Sequence, residues 1–310
     1  MIATRESYGN ALVSLGKKYK NIVVLDADVA KATQTKLFKE KFPKRFFDMG
    51  IAEQDMIGTA AGLALIGKIP FVSSFAMFAT GRAYEQIRNS VAYSKLNVKI
   101  AATHAGITVG EDGASHQSFE DLALMRVIPG MTIFSPCDDL ETKWAIEEAC
   151  KIDGPVYIRL TRPKVNEVYK KKSFEFGKAC KHGSGKDATI IATGIMVQEA
   201  LKAQEILREE NINVIVLDLH TIKPLDNEAI LKAANDTKLI ITAEDHSIIG
   251  GVGSAVCELL AENPNSAIVR RIGIKDTFGQ SGKWNELMEY YGLIAEEVVR
   301  IVKENLNKNY

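Results

Sequence analysis

The segment Phe47-Asp-Met-Gly-Ile-Ala-Glu-Gln-Asp-Met56 opens the helix around which the predicted fold is organised. Gly50 permits an abrupt turn, and Glu53 falls in the first helical turn after it. The helix continues to Ile66 with a face of small residues, which are Gly58, Ala60, Ala61, Gly62 and Ala64. Small side chains let a second backbone approach closely, so the segment predicts a carboxylate at a crowded boundary. The simpler alternative is that Glu53 only complements the positive end of its helix, which contributes about 0.3–1 kcal/mol.

Outward from this helix, apolar runs rich in β-branched residues alternate with helical patterns. The predicted strands of the first half are 21–25, 69–72, 98–102, 131–134 and 156–160, and the predicted helices are 5–19, 52–66, 76–94 and 138–150. Continuous apolar strands that alternate with helices indicate a parallel sheet covered on both faces. The sequence therefore predicts the α/β fold class with mainly parallel sheets.

The chain is 310 residues long, which exceeds the size at which a single core usually divides. The alternation breaks over residues 161–187, which contain Pro163, a triple lysine and three glycines, and then resumes. This pattern predicts two domains, 1–164 and 188–310, joined by a linker at 165–187. The strands predicted in the second domain are 188–192, 214–217, 239–242 and 268–271, and a charged amphipathic helix is predicted near 293–306.

The composition excludes several classes of protein. Lysine plus arginine and aspartate plus glutamate each number 39, so no net charge favours nucleic acid or an anionic membrane. The N-terminus lacks a signal-peptide core and no apolar run approaches about 18 residues, so we expect a cytoplasmic protein. The four cysteines are too far apart for a Cys-x-x-Cys pair and are expected to be reduced structural thiols; they are Cys137, Cys150, Cys180 and Cys257.

An aromatic pair precedes the predicted helix at 76–94. Phe75 and Phe78 are three residues apart and would share a face if the turn is already helical. Ordinary core packing is the simpler interpretation of such a pair. Arg82, one turn further along, would be unusual on a purely apolar face.

A polar loop at 103–117 follows the predicted strand 98–102 and contains three glycines. It carries His104, Asp112 and His116, and ligand sites in α/β sheets form at such carboxyl ends of strands. The spacing of these three residues matches no standard metal signature, so we assign no metal ligand in the chain. Solvated loop residues are the alternative interpretation.

Two arginines and an acidic turn complete the candidates. Arg5 near the first helix and Arg162 after the last strand of the first domain could converge with His104 on an anion. The run Asp26-Ala-Asp28 ends the first strand, and its simpler interpretation is a turn or a helix cap.

The second domain contains no comparable motif. Gly251-Val-Gly253 is followed by Val256 where a dinucleotide fingerprint requires glycine, so that interpretation is rejected. His220 and His246 are expected to be structural or interface residues, and His182 is expected to be solvated in the linker.

Together these motifs resemble a known family. The segments that resemble the pyrimidine-binding domain of transketolase are Met49-Gly-Ile-Ala-Glu-Gln-Asp-Met56, Ser74-Phe-Ala-Met-Phe78, Gly110-Glu-Asp-Gly-Ala-Ser-His-Gln117 and 121–136. Residues 188–307 are similar to the C-terminal domain of that family. The resemblance covers nearly the whole chain and implies a thiamine-diphosphate-binding fold for the first domain.

The resemblance implies transfer of a two-carbon ketol unit from a ketose phosphate to an aldose phosphate, as in the pentose phosphate pathway. The cofactors would be thiamine diphosphate and Mg²⁺. Glu53 would bond the pyrimidine ring nitrogen as a catalytic residue, with Phe78 stacked on the ring. Phe75 and Asp28 would line the same cofactor site. The residues implied to contact substrate are Arg5, Arg82, His104, Asp112, Arg162 and His116, the last also being catalytic.

Three departures from the family pattern are present. Gly81 stands where a third aromatic is expected, and Lys31-Ala-Thr33 stands where a phosphate-binding serine is expected. The chain also lacks the Gly-Asp-Gly motif and later Asn of the family's magnesium diphosphate site. The resemblance therefore implies the C-terminal subunit of a split transketolase. Its N-terminal partner would hold the Mg²⁺, in an α2β2 assembly around a homodimeric core.

Two alternatives stay open at this point. The β subunit of a 2-oxo-acid dehydrogenase shares the domain order and the glutamate, but its substrates are unphosphorylated, so the arginines and the Gly110–Gln117 motif argue against it. A non-catalytic assembly subunit is the other alternative. The presence of Glu53, Phe78 and His116 together argues against that one.

Overall fold

The computed structural model describes residues 1–264 and 267–306. The strands are β1 (Ile2–Ala3), β2 (Ile22–Asp26), β3 (Phe46–Asp48), β4 (Ile69–Ser73), β5 (Lys99–Ala102), β6 (Thr132–Phe134), β7 (Val156–Arg159), β8 (Lys164–Val165), β9 (Cys180–His182), β10 (Ala188–Ala192), β11 (Val214–Asp218), β12 (Thr221–Lys223), β13 (Leu239–Ser247) and β14 (Ile268–Ile274). The α-helices are α1 (Thr4–Lys18), α2 (Ala30–Thr33), α3 (Lys36–Lys41), α4 (Glu53–Leu65), α5 (Asp121–Arg126), α6 (Asp139–Ala149), α7 (Met196–Glu209), α8 (Asn227–Asp236), α9 (Val252–Ala261), α10 (Trp284–Tyr290) and α11 (Ala295–Leu306). The π-helical segments are Met77–Arg82 and Gln86–Tyr93, and the 3₁₀ turns are Pro43–Arg45 and Ile107–Asp112.

The first sheet has seven strands in the order β12-β6-β7-β5-β4-β2-β3. Only β12 runs antiparallel to its neighbour, and all other neighbours are parallel. Every residue of β2, β4, β5 and β7 is buried, which explains why these strands do not alternate polar and apolar side chains. Because parallel strands end at the same edge, the segments after β2, β3, β4, β5 and β7 lie along one edge of the sheet.

The second sheet has five strands in the order β14-β13-β10-β11-β9, and only β9 is antiparallel to its neighbour. Strand β9 lies inside the predicted linker at 165–187, so this part of the segment belongs to a sheet. His182 was expected to be solvated there, and this expectation is wrong. The side chain is partly buried, with its Nε2 atom 3.0 Å from the Tyr169 hydroxyl.

The two halves of the chain are joined through a strand and a shared core. Strand β12 comes from the predicted second domain but pairs with β6 of the first sheet. One apolar cluster contains Leu25 and Ile100 from the first sheet together with Ile191 and Leu217 from the second. Packing of this kind fixes the orientation of the two sheets relative to each other.

The α/β fold class is confirmed, and each of the predicted strands is present. The strands that the sequence did not predict are β1, β3, β8, β9 and β12, which have only two or three residues each. Runs this short contain no readable periodicity. The predicted helix at 76–94 forms as two π-helical segments, and the Thr80 hydroxyl donates to the carbonyl of Ala76 at 2.7 Å. Such side-chain bonds compete with regular helix formation.

At its glycines, the small-residue face of α4 meets no other segment among residues 1–264 and 267–306. A Cβ atom added at Gly58 or Gly62 would find no heavy atom within 4 Å. Leu65 and Ile66 at the end of the helix are 73% and 70% exposed. The close approach that the sequence predicted would therefore have to come from another molecule.

Candidate active site

Most of the predicted site residues lie along the edge where the parallel strands end. The residues that follow strands of the first sheet are Asp28 after β2, Phe75 after β4, His104 after β5 and Arg162 after β7. Glu53 begins α4, which follows β3, and Arg5 lies in the first turn of α1. The topology thus brings together residues that are far apart in the sequence.

Glu53 is 2% exposed, and its carboxylate oxygens face two side chains. Arg82 Nη1 donates to Glu53 Oε2 at 2.7 Å, and the Ser74 hydroxyl lies at 3.4 Å from Oε1. The second distance is at the long limit for a hydrogen bond. One carboxylate oxygen is therefore firmly bound, and the other has acceptor capacity to spare.

The aromatic pair lies beside this carboxylate. The rings of Phe75 and Phe78 are 6.2 Å apart at an angle of 21°, and His116 stands edge-on to Phe78 at 5.0 Å. The guanidinium of Arg82 lies 4.7 Å from the Phe78 ring centroid, within the range of a cation–π contact. Arg82 therefore contacts both Glu53 and Phe78.

His104 connects the aromatic pair to Arg5. Its ring stacks on Phe75 at 3.9 Å, and its Nε2 lies 3.3 Å from Arg5 Nη1. Because arginine only donates, Nε2 accepts and Nδ1 carries the proton, which it donates to the Thr103 hydroxyl at 2.8 Å. Burial, together with the charges of Arg5 and Arg162, lowers the pKa of His104 to about 3. The imidazole is therefore neutral at neutral pH.

Arg5 has donor capacity that the chain does not use. Its Nη1 donates to the carbonyl of Ala32 at 2.8 Å, whereas its Nε is buried without a partner. The charge of Arg162 is close enough to lower the pKa of Arg5, after the larger effect of burial. Two neighbouring guanidinium groups and an unused N–H donor favour an anionic ligand.

Arg162 reaches the glycine-rich loop from the other side. Its Nη1 donates to the carbonyl of Val109 and to Glu111 Oε2, the latter at 3.0 Å, and Asp112 Oδ2 lies 3.9 Å away. Glu111 and Asp112 are exposed. These carboxylates occupy the guanidinium that was predicted to bind the substrate anion, so the anion would have to displace them.

The turn after β2 is built around Asp26. Its buried carboxylate accepts from the Val29 N–H at 2.7 Å and from the hydroxyls of Thr33 and Thr35 at 2.6 and 2.8 Å. Burial raises the pKa of Asp26 to about 6. The turn holds Asp28 exposed at φ +62°, and no hydrogen bond or ion pair in the described part of the chain joins Asp28 to the other site residues. Thr33 is committed to Asp26 and not to an external phosphate.

The second half of the chain holds the glycine-rich loop in place. Asp245 Oδ1 accepts from the Ile107 N–H at 2.8 Å, and a Cβ added at Gly106 would lie 2.1 Å from Asp245 Oδ2. Gly106 also has φ +77°, so glycine is required on both counts. The amide of Gln117 donates to the carbonyl of Gln280 at 3.0 Å. Asp245 was not predicted to support the loop, although it follows Glu244 in a conspicuous polar run.

A buried ion pair anchors the segment between the loop and α5. Asp121 accepts from Arg159 Nε at 2.8 Å and from the Tyr157 hydroxyl at 2.6 Å, and Arg159 also donates to the carbonyl of Asp245 at 2.7 Å. Burial is the largest single effect and opposes ionisation of Asp121, but the charges of Arg159 and, less strongly, His246, with the hydrogen bonds from Arg159 and Tyr157, together lower the pKa of that carboxyl. This pair was not predicted from the sequence, because a buried Arg–Asp contact leaves no periodic signal.

The contacts connect most of the candidate residues into one continuous line. The order along it is Glu53, Arg82, Phe78, His116, Phe75, His104 and Arg5. An acid thus stands at one end and a cation at the other, with aromatic rings between them. Arg82 lies at the acid end and not with the arginines of the predicted anion site.

Comparison with known proteins identifies the family. Residues 1–167 match the transketolase pyrimidine-binding domain, and residues 177–298 match the transketolase C-terminal domain. The chain belongs to the transketolase family. Among the helices in the described part of this transketolase-family chain, none is long and apolar enough to cross a membrane.

Similar proteins include single chains of the same length. A protein of Methanocaldococcus jannaschii, provisionally named as a transketolase C-terminal section, is 53% identical over 98% of this chain and 96% of its own. A 6-deoxy-6-sulfo-D-fructose transketolase subunit of a Clostridium species is 46% identical over 97% and 93% of the two chains. A solved split-gene transketolase, described as an inactive β4 tetramer, is 52% identical with a TM-score of 0.91 and covers 99% of both chains. Against longer mammalian transketolase-family proteins, this chain spans 49% of their length.

Proposed function

We propose that this protein is the C-terminal subunit of a two-chain transketolase. In this proposal it transfers a two-carbon ketol unit between sugar phosphates, with thiamine diphosphate held between it and an N-terminal-type partner. The observation that carries the proposal is the continuous line of contacts from Glu53 through the aromatic rings to Arg5 at one edge of the sheet. This line combines an acid, a ring-stacking surface and an anion site.

The residues of this chain suit only one end of the cofactor. Glu53 has a buried, incompletely used oxygen for a ring N–H, and Phe78 offers a ring face beside it. Thiamine diphosphate supplies the carbanion chemistry of carbon–carbon bond cleavage when it is bound. In the described residues, clusters of three possible metal ligands occur only around Glu141, away from Glu53. A partner chain would therefore hold the diphosphate and its Mg²⁺.

Each residue of the line has a distinct role in this proposal. Glu53 would hold the proton at the pyrimidine nitrogen, and Phe75 and Phe78 would orient the ring. His104 is neutral and would position substrate by hydrogen bonding, since an imidazole with a pKa of about 3 is a poor proton donor at neutral pH. His116 is only partly buried beside Phe78 and would contact substrate hydroxyls.

The anion that Arg5 and Arg162 would bind is the terminal phosphate of the sugar. The unused Nε of Arg5 and the fork of Arg162 can both donate to tetrahedral oxygens. The relative from Clostridium acts, by its name, on a sulfonated sugar, and a sulfonate presents the same oxygen geometry. The two arginines would therefore suit either anion.

The test is a coupled assay with a purified N-terminal-type partner, thiamine diphosphate and Mg²⁺. We expect turnover with xylulose 5-phosphate and none with pyruvate, and Glu53→Gln should lower kcat by about 10²- to 10⁴-fold. The substitution preserves shape, so circular dichroism should not change. Turnover of pyruvate, or a Glu53→Gln variant with more than about a tenth of the wild-type rate, would contradict the proposal.

A further inference from the structure

Five side chains of the types that bind metals meet at the junction of the two halves of the chain. This junction cluster consists of Cys137, Glu141, Cys180, Asp218 and His220, none of which belongs to the candidate active site. All except Cys180 have no solvent exposure, and Cys180 is partly buried. The cluster is therefore closed to bulk water on most sides.

The fold explains why these residues converge. Asp218 ends β11 and lies directly opposite Cys180 of the antiparallel strand β9. His220 follows two residues later, at a bend beyond the end of the strand. Glu141 projects from the first turn of α6, which belongs to the first half of the chain. The ligands thus come from α6 in the first half of the chain, from β9 within the segment 165–187, and from the end of β11 and the residues after it.

The spacing of the atoms is close to that of a tetrahedral metal site. One ligand atom each from Glu141, Cys180 and His220 lie within 4.8 Å of one another, and the same holds for Cys137, Glu141 and Asp218. Tetrahedral zinc with bonds of about 2.0–2.3 Å requires ligand atoms about 3.5 Å apart. The two groups share Glu141, so Asp218 joins Cys180 and His220 around one ion only by a side-chain movement on binding.

Three atoms of the cluster are buried without any hydrogen-bond partner. They are Glu141 Oε1, Asp218 Oδ1 and His220 Nε2. Buried polar atoms are nearly always satisfied, so three unsatisfied acceptor-type atoms in one place indicate a missing ligand. The ligand must be electron-poor, because none of these atoms needs to donate.

The second polar atom of Glu141 and of His220 already has a hydrogen-bond partner in the protein. Glu141 Oε2 accepts from the Cys137 N–H at 2.6 Å, and His220 Nδ1 lies 2.9 Å from the Thr221 hydroxyl. A neutral imidazole carries one proton, which belongs on Nδ1, where a partner exists, and this leaves the Nε2 lone pair free. Partners of this kind orient the ligands in known metal sites.

The charge of the cluster is not balanced by basic side chains. Within residues 1–264 and 267–306, no ion pair with lysine or arginine involves Glu141 or Asp218. A proton shared by the two carboxyls would neutralise part of this charge but would leave His220 Nε2 unsatisfied. A divalent cation would satisfy all three free atoms at once.

We propose that the junction cluster binds one Zn²⁺ through Glu141, Cys180 and His220, with Asp218 Oδ1 in the fourth position. The mixed sulfur, nitrogen and oxygen donors suit zinc, whereas Mg²⁺ and Ca²⁺ prefer oxygen alone. Loading releases the proton of the Cys180 thiol, because the thiolate is the ligand. The ion ties α6 to β9 and β11 and so fixes one half of the chain against the other.

The first test uses the wild-type chain alone, without thiamine diphosphate or a partner. After saturation with Zn²⁺ and gel filtration, elemental analysis should find about one zinc per chain. Loading with Co²⁺ should give visible d–d absorption and a thiolate-to-cobalt charge-transfer band. Zn²⁺ should raise the melting temperature, and a strong chelator should lower it. A chain that holds less than about a tenth of an equivalent and gives no charge-transfer band would overturn the proposal in favour of a shared proton.

The second test compares matched cysteine variants. Cys180→Ser changes one atom and should weaken Zn²⁺ binding at least about tenfold and abolish the charge-transfer band. Cys257→Ser, on α9 and outside the cluster, should bind as the wild type does. His220→Gln should also lower the affinity but keep a thiolate band at high Co²⁺. Unchanged binding in Cys180→Ser and His220→Gln would place the metal elsewhere and refute the assignment. These outcomes do not depend on transketolase activity, so they can fail separately from the proposed function.

Discussion

Arg82 bonds Glu53 and covers Phe78, the two side chains expected to hold the pyrimidine ring of the cofactor. It therefore occupies, in this chain alone, the contacts that the ring would make. The resemblance implied that Arg82 binds substrate, but the observed position of Arg82 favours competition with the cofactor. Its side chain is 46% exposed, so it can swing away without disrupting the core.

This competition predicts the effect of Arg82→Met. A half-exposed ion pair contributes up to about 1 kcal/mol, so removing it should strengthen binding of thiamine diphosphate to the reconstituted enzyme about two- to fivefold. Isothermal titration calorimetry with Mg²⁺ and the partner measures this. Arg88→Met, an exposed arginine of the next helical segment, is the control. Unchanged cofactor affinity with a raised KM for sugar phosphate would assign Arg82 to the substrate instead.

A substitution at Arg162 tests anion binding separately from the chemical step. Charge-assisted hydrogen bonds contribute about 1.5–3 kcal/mol, so Arg162→Ala should raise the KM for sugar phosphates about ten- to a hundredfold. Hydroxypyruvate has no phosphate, and its KM should change much less. Initial-rate kinetics with both donors measure the ratio, and Arg208→Ala, on the exposed face of α7, should change neither. Equal losses on both donors would show that Arg162 shapes the loop and does not bind the anion.

At the scale of elements, strands of four or more residues were all predicted, whereas β6 alone was predicted among the shorter strands of the described residues. Strand β10 was predicted with its observed ends, because five consecutive buried apolar or β-branched residues leave a clear pattern. Strand β12 has three residues and takes its place from pairing across the two halves, which no local window reveals. The same limit applies to Asp245, whose contact with Ile107 spans 138 residues. Local chemistry predicted which residues would follow the strands, and topology decided which of them meet.

The turn after β2 gives a pH-dependent prediction. Burial raises the folded-state pKa of Asp26 to about 6, above its usual value of 3.8. The protonated acid is therefore favoured in the folded state over the unfolded state. The stability that this preference contributes is fully present below about pH 4 and is lost as the pH rises through about 6. A difference of about two pKa units corresponds to about 3 kcal/mol.

Asp26→Asn removes this titration. Relative to the variant, the wild type should lose up to about 3 kcal/mol of unfolding free energy between about pH 4 and about pH 7. Urea unfolding across this range measures the difference, and Asp55→Asn, at an exposed position of α4, is the control. The substitution also alters the hydrogen bonds to Thr33 and Thr35. That cost is the same at every pH, so it does not change how the unfolding free energy varies with pH. Parallel pH profiles for the wild type and Asp26→Asn would contradict the burial argument.

At the scale of the whole molecule, the chain in the proposed function presents half of a site. The line from Glu53 to Arg5 would bind a ring and a distal anion, but the described residues beside it offer no carboxylate cluster for Mg²⁺. The glycines of α4 meet nothing within the part of the chain that the structure describes, and the apolar residues Ile51, Leu65 and Ile66 are exposed next to them. Exposed apolar side chains beside small residues are typical of an interface with another subunit.

We expect the chain to need a partner subunit, because its own residues would bind only part of the cofactor. The diphosphate carries most of the cofactor's charge and requires a metal, so the chain alone should bind thiamine diphosphate weakly and show no turnover. Activity should appear only when an N-terminal-type partner and Mg²⁺ are both added. Calorimetric titration with the cofactor and the transketolase assay, each with and without the partner, measure this, and size-exclusion chromatography with light scattering tests the expected α2β2 assembly.

Leu65→Glu on the exposed face of α4 should weaken assembly and activity together while leaving the fold of the isolated chain intact, because that side chain is in solvent there. Tight magnesium-dependent cofactor binding with turnover by the chain alone would refute the two-subunit proposal, and full activity of Leu65→Glu with the partner would move the interface away from α4.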